Sequence, residues 1–380
     1  MKKVTVLGSG RVGHAIAADL ANQHAVTVVD QEPSRLMALE QFGHGSKLIQ
    51  TDLSATDRLA PIVRETDLVI NALPGYLGYR ILETLIGLGR DIVDISFLPE
   101  NPLDLDEKAR RAGVTAVIDA GVAPGLSNLI AGYHAVRMQV ENFVCYVGGL
   151  PFKRTYPYQY KAPFSPVDVI EEYTRPARLV ENGRVVTRPA LSEPELIDFE
   201  PIGTLEAFNT DGLRSLLQTL KIPNMKEKTL RYPGHIDLMR VLRETGFFST
   251  QPVEIGGSWI RPIDMTTRVI FPHWQTVPGD DEFTLMQINV EGFEAGCKVR
   301  YEYRLFDRFD SATGTSSMAR TTGYTCTAIA NLLLNQDFHQ AGVIPPEMLG
   351  ESQPCFEKIL AYLRERRVAV TVNRVENSGA

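Results

Sequence analysis

The chain has 380 residues, a net charge of −7 and a pI near 5.6, with 44% hydrophobic and 22% charged residues. That length exceeds one ordinary hydrophobic core, so two domains are expected. The acidic balance argues against a nucleic acid or an anionic membrane as partner, since both select a basic face; the locally basic stretches 221–231 and 364–367 read as solvated surface.

Cys145, Cys297, Cys326 and Cys355 are scattered and form no C-x-x-C pair, so neither a zinc site nor a disulfide framework is expected. No apolar run is long enough to span a bilayer, and Met-Lys-Lys leads into a strand rather than a signal-peptide core. A cytoplasmic protein is the expectation.

In chain order, short β-branched runs alternate with amphipathic segments up to residue 121. Strands are predicted at 3–7, 25–30, 47–51, 67–73, 91–96 and 115–119, with room for crossover helices between most of them. Six such strands complete a doubly wound, parallel Rossmann sheet. After Gly121 the texture changes. A helix is predicted over 126–139, and a strand over 143–147 runs into Gly148-Gly149-Leu150-Pro151. An aromatic, proline-rich stretch occupies 152–166. Strand-like runs dominate 198–306, including 254–260, 284–290 and 298–305, and predict a mainly antiparallel sheet. A buried helix over 323–334 and an amphipathic one over 354–366 follow. The fold class is α/β: a Rossmann domain plus a second α/β domain.

The most informative motif is Gly8-Ser9-Gly10-Arg11-Val12-Gly13, set between the first strand and a helix over 12–20. Gly8 permits the turn, Gly10 lets backbone approach a pyrophosphate, and Gly13 lets helix pack on strand. Arg11 and Val12 sit where the helix start offers free N–H groups to phosphates. Asp30 closes the second strand, where an acid can accept hydrogen bonds from the adenosine ribose; the alternative is a turn cap. Such an acid repels a 2′-phosphate, and the nearest arginine is Arg35, which favours NAD over NADP. Asp52 could meet the adenine amino group or merely cap the turn Thr-Asp-Leu-Ser. Leu73 and Pro74, ending the fourth strand, are expected to border the nicotinamide half, and Phe97, past the fifth strand, is grouped with them.

Further motifs appear in fixed order: Asp119-Ala-Gly-Val-Ala-Pro124-Gly125-Leu-Ser-Asn128, Tyr146-Val-Gly148-Gly149-Leu-Pro151, 171–178, 206–215 and Lys228-Thr-Leu-Arg231-Tyr-Pro-Gly-His235. With the glycine loop they resemble the saccharopine dehydrogenase-like family, nearest the branch containing lysine 6-dehydrogenase. The resemblance implies a Rossmann domain (1–121), a catalytic, substrate and dimerisation domain (122–310), and a helical segment (311–380) returning to the first. It also implies a homodimer and nicotinamide chemistry at a carbon–nitrogen bond of a lysine-derived substrate. Saccharopine-forming relatives carry Tyr, Cys and Asp where this chain has Phe97, Val147 and Ala123. They also have an arginine for a second carboxylate near Asn209–Asp211, where this chain has Thr210. Free lysine or a similar diamino acid is therefore the expected substrate.

Within that expectation Arg231 would anchor the substrate carboxylate, or else form a structural ion pair. His235 would transfer a proton, or else act as a structural donor. Asp119 would hold an ammonium group, or else cap the 121–125 loop. Gly121, Pro124, Gly125 and Gly149 would shape the pocket with backbone. Asp211 and Glu206 are weaker candidates for binding the substrate's amines. Tyr156, Tyr158 and Tyr160 are expected to pack a domain surface. The histidines at 14, 24, 44, 134, 273 and 339 have no ligand-like spacing, and no metal is assigned. The competing readings are a saccharopine dehydrogenase, a carboxynorspermidine-type reductive condensation enzyme, and a non-catalytic NAD-sensing regulator.

Overall fold

A computed structural model describes all residues except 41–45, 163–165, 278–279 and 377–380. The chain divides into two compact units, residues 1–137 with 318–370 and residues 138–317 with 371–380.

In the first unit, six strands lie parallel: β1 (Lys3–Leu7), β2 (Ala25–Asp30), β3 (Lys47–Gln50), β4 (Leu68–Asn71), β5 (Ile92–Asp94) and β6 (Thr115–Val117). Their order, 3-2-1-4-5-6, is that of the doubly wound dinucleotide fold. Consecutive residues such as Val28 and Val29, or Leu68, Val69 and Ile70, are buried, as a sheet covered on both faces requires. The sheet has a seventh strand, Gly342–Ile344, parallel to β6. It escapes the sequence because three residues, Gly-Val-Ile, give no periodicity. Strands β3 to β6 end one or two residues earlier than expected, since their last residues turn into the loops above the sheet.

By compactness, residues 122–137, expected in the second domain, group with the first unit. Helix Leu126–Ala135 belongs with the first sheet because it packs face to face on helix Pro346–Glu351. A Cβ on Gly132 would overlap the Glu347 carbonyl, and one on Gly350 would overlap that of Leu129. Only two bare backbones allow that approach. The C-terminal helices are tied to α1 (Arg11–Ala21) by polar contacts: Asp19 accepts from Thr327, Tyr362 and Arg366 at 2.6–2.8 Å, and His24 meets Asn331 at 3.0 Å.

The second unit holds a nine-stranded sheet built on the long strand Gln139–Pro151. That strand runs antiparallel to Glu282–Glu294 and parallel to Asn224–Arg231, so the mainly antiparallel sheet contains a parallel pair. Its apolar core gathers Tyr173, Phe208, Trp274 and Phe283. The run expected as one strand over 254–260 is instead a hairpin, Val253–Ile255 with Ser258–Ile260. Gly256 and Gly257, both at positive φ, occupy its two turn positions.

Candidate functional site

The glycine loop joins β1 to α1. A Cβ on Gly8 would lie 2.6 Å from the Ala72 carbonyl oxygen, and one on Gly13 would overlap the Gly8 carbonyl, so chain packing alone demands both glycines. Gly10 differs. Its φ of −62° suits any residue, and a Cβ there would meet nothing within 4 Å. The fold does not need this glycine, and the space beside it is open. Beside it the buried Ser9 hydroxyl has no hydrogen-bond partner. The first turn of α1 carries no acidic residue, leaving its N–H groups and partial positive charge for an anion. These features fit a pyrophosphate. Arg11 is exposed and Val12 half-buried on that turn.

Asp30 is buried at the end of β2. It accepts the Ser9 N–H at 2.7 Å through Oδ2 and the Glu32 N–H at 2.9 Å through Oδ1. It therefore caps the turn and braces the glycine loop, while the second lone pair of each oxygen remains for a ribose hydroxyl. The Arg35 guanidinium lies 3.7 Å from Oδ2. Asp52, by contrast, is a turn residue: its oxygens accept the Ser54 N–H and hydroxyl, both at 2.8 Å. Those bonds, the backbone one foremost, hold its carboxyl below the usual range. Leu73 is half-buried against Gly8, Pro74 is exposed at the start of helix Gly75–Gly87, and Phe97 is half-buried past β5.

The carboxyl ends of β4 to β6 carry a buried polar cluster that sequence reasoning missed in part. Asp94 accepts the Asn71 amide N–H and the Ser96 backbone N–H, both at 2.6 Å. Burial pushes its carboxyl up to about 7, and the charge of Asp119 adds to the rise. The Asn71 Oδ1 lacks a partner. An acid closing the apolar strand Ile-Val-Asp94 was the available signal. Asp119 is itself buried, with φ of +50°. It leads into a loop in which Gly125, at φ +136°, packs its α-carbon against the Gly121 backbone. The Gly121 carbonyl accepts the Leu126 N–H, the Ala123–Pro124 peptide is cis, and Pro124 is half-buried.

In the second unit Arg231 is 2% exposed and its donors are engaged. Nε donates to Tyr173, Nη1 to the Leu230 carbonyl, and Nη2 to Tyr160 and the Glu172 carboxylate. The guanidinium also stacks 4.3 Å over the Tyr160 ring. The carboxylate that Arg231 holds in this structure is that of Glu172, the structural ion pair that was the alternative to a substrate anchor. His235 is likewise committed. Nδ1 lies 2.8 Å from the Tyr158 carbonyl, which can only accept, so Nδ1 carries the proton. Nε2, 2.9 Å from Tyr173, then accepts the phenol hydrogen. Burial, with the neighbouring Arg231 charge, lowers the imidazole to about 3. The ring is therefore neutral with both nitrogens engaged within the chain, the structural donor arrangement that was the alternative to proton transfer. Asp211 is bound in a two-pronged pair by Arg178 at 2.8 Å, and Glu206 accepts the Gly234 N–H at 3.1 Å. Gly149 lies buried in the interior of its strand, paired with Thr284. Tyr160 is buried, Tyr158 half-buried and Tyr156 exposed.

Among the described residues no three His, Cys, Asp or Glu side chains converge as a metal site would require, and no helix is long and apolar enough to cross a membrane. His44 lies outside the described residues.

Strand order, glycine loop and terminal acid define a Rossmann-type dinucleotide-binding unit joined to a second α/β unit. Residues 4–117 match the family model for the saccharopine dehydrogenase NADP binding domain, and residues 121–368 that for the saccharopine dehydrogenase C-terminal domain. The chain belongs to the saccharopine dehydrogenase family. It is 22% identical over 434 residues to the mitochondrial alpha-aminoadipic semialdehyde synthase of Bos taurus, covering 95% of this chain and 47% of that protein. It is 27% identical over 267 residues to the saccharopine dehydrogenase [NADP(+), L-glutamate-forming] of Pyricularia oryzae, covering 66% of this chain and 59% of that one. The chain thus spans about half the length of these relatives. In fold it resembles the apo saccharopine dehydrogenase (L-Glu forming) of Saccharomyces cerevisiae, with a TM-score of 0.80 at 19% identity over 99% of this chain and 100% of that one.

Proposed function

We propose that the protein is a nicotinamide-dependent dehydrogenase acting on a carbon–nitrogen bond of an amino acid, with the 6-amino group of L-lysine as substrate and NAD as cofactor. The open space at Gly10 beside the unpartnered Ser9 hydroxyl, closed on one side by Asp30, is the observation that carries the cofactor assignment. The N–H groups of the first turn of α1 would hold the diphosphate and Asp30 the neighbouring ribose. When bound, the dinucleotide supplies the hydride acceptor.

A cationic amine must lose a proton before its carbon can give up a hydride. Asp119 is the group we assign to the ammonium: it is a buried carboxylate at the carboxyl end of β6, where ligands of this fold bind. Asp94 beneath it holds the ends of β4 and β5 together through Asn71 and Ser96. Arg231 and His235 serve the fold of the second unit. The imine product would be hydrolysed to a semialdehyde, which can close onto its own α-amine. Phe97, Val147 and Ala123 are apolar where saccharopine-forming relatives carry polar groups, which supports a substrate without a second amino acid. In this reading the enzyme is a cytoplasmic homodimer.

A second reading is a saccharopine-type or carboxynorspermidine-type condensation enzyme using NADP. The names of the relatives favour it, as does Arg35 beside Asp30, a cation within reach of a 2′-phosphate. Reduced-nicotinamide absorbance separates the two. Lysine with NAD alone should produce signal. If turnover requires a semialdehyde together with a second amine, the condensation reading replaces it. Silence with lysine, ornithine and related diamines, while cofactor is demonstrably bound, would sink the lysine assignment.

A further inference from the structure

A glutamate is almost never fully buried unless something holds it. Glu347 is fully buried and stands second in the short helix Pro346–Glu351, brought there by the returning strand Gly342–Ile344. Its Oε2 accepts the Asn128 side-chain N–H at 3.3 Å, across 219 residues of chain. Asn128, fully buried as well, turns its Oδ1 the other way. There it accepts the Gly125 N–H at 3.3 Å and the Ser127 hydroxyl at 3.1 Å. Gly132, one turn on from Asn128 and so on the same face of its helix, lies against the Glu347 backbone, where a Cβ would overlap the Glu347 carbonyl. Side chain and main chain of Glu347 are thus both seated on one face of helix Leu126–Ala135.

A polar side chain at the third position of a helix reaches back to the N-cap N–H unaided, so the bond to Gly125 alone is ordinary capping. What Glu347 adds is direction. The Asn128 amide can face two ways, and an ionised carboxylate only accepts, so it selects the amide N–H and leaves Oδ1 for Gly125. Gly125, at φ +136°, is pressed on Gly121, whose carbonyl accepts the Leu126 N–H at 2.9 Å. Two residues before Gly121 stands Asp119, itself at φ +50°. An apolar side chain would fill the place of Glu347 at lower cost, so packing alone does not account for a buried glutamate. We infer, resting on the reading above that Asp119 holds the substrate's ammonium, that Glu347 is a positioning residue. Through Asn128 it fixes the 119–125 loop, and with it the place of the Asp119 carboxylate.

Exchanging the polarity of the pair in the full chain provides the test. Asn128→Asp keeps an acceptor for Gly125 but sets two carboxylates face to face. Adding Glu347→Gln returns a donor to the contact, with its direction reversed. Asn128→Asp should raise the KM for lysine about 10-fold, more than it lowers kcat, and speed hydrogen exchange at the 121–126 amides about 10-fold. Affinity for NAD should stay within about twofold, and the double variant should recover KM and exchange to within about threefold. A pair that serves packing alone would lower the melting temperature and leave the lysine KM of the folded enzyme unmoved. That result overturns the positioning role, as does a double variant no better than Asn128→Asp. Should Asn128→Asp not fold, Asn128→Ala removes the acceptor outright and should show the same two losses, without rescue by Glu347→Gln; unchanged exchange and KM again overturn the role. Asp119→Asn keeps the two assignments apart. If it turns lysine over as wild type does while loop exchange still follows the Asn128–Glu347 pair, the Asp119 assignment falls and the tie between Glu347 and the loop stands. If the wild type is silent with lysine, the lysine reading falls, and loop exchange decides the tie.

Discussion

At the scale of single residues, the account turns on which polar groups are already satisfied and which are not. Asp94 is buried with its carboxyl raised from 3.8 to about 7. Between those values the folded chain binds a proton that the unfolded chain has released, so stability falls as pH rises from about 4 to about 7 and then levels off. The span is on the order of 4 kcal/mol. Asp94→Asn should flatten that slope in thermal melts taken across the range, because a rotated Asn71 amide offers its free Oδ1 to the new N–H. An unchanged slope would assign the titration elsewhere. Arg231 makes the opposite case. Arg231→Met leaves Glu172 without its counter-charge and should cost about 3 kcal/mol in chemical denaturation; adding Glu172→Leu should recover most of it. A structural pair behaves so. A substrate anchor would leave stability unmoved and raise KM alone. The sequence pointed to Arg231 and His235 by residue type, but whether a guanidinium meets a ligand or its own chain depends on Glu172, Tyr160 and Tyr173, 59, 71 and 58 residues away. Spacing along the chain carries no such information.

At the scale of elements, periodicity and turn chemistry were legible wherever a segment was long. Strands β1 and β2 and the glycine loop between them follow directly from alternation and the three glycines. The hairpin over 253–260 was hidden because its exposed apolar residues mimic one strand, and only the adjacent Gly256 and Gly257 betray the turn. Helix Leu126–Ala135 shows a different limit. Its apolar residues gave the helix but not its partner, and the contact depends on Gly132 and Gly350 meeting backbone. Gly132→Ala should therefore cost about 1–3 kcal/mol despite the better helix propensity of alanine, since the neighbouring backbone has to shift. Comparing its melting temperature with that of Gly87→Ala, where a Cβ meets nothing within 4 Å, provides the control. Equal shifts would refute the close packing.

At the scale of the whole molecule, two units were readable from length and the change in texture after Gly121, while the path of the chain between them was not. The first unit closes only with residues 318–370, which return to add a seventh strand and the helices bound to Asp19. Such long-range pairings carry no local signature, and the resemblance to a family supplied what periodicity could not. The dinucleotide site is the part on which everything else rests, and its phosphate and ribose end is built on residues 8–13 and Asp30. Titration calorimetry of the intact chain with NAD and with NADP, repeated on Gly10→Trp and Asp30→Ala, tests it most directly. The account predicts that NAD binds, that Gly10→Trp abolishes binding with the melting temperature unchanged, and that Asp30→Ala weakens NAD while narrowing its advantage over NADP. Binding retained by Gly10→Trp, or no binding of either dinucleotide to the wild type, would contradict it.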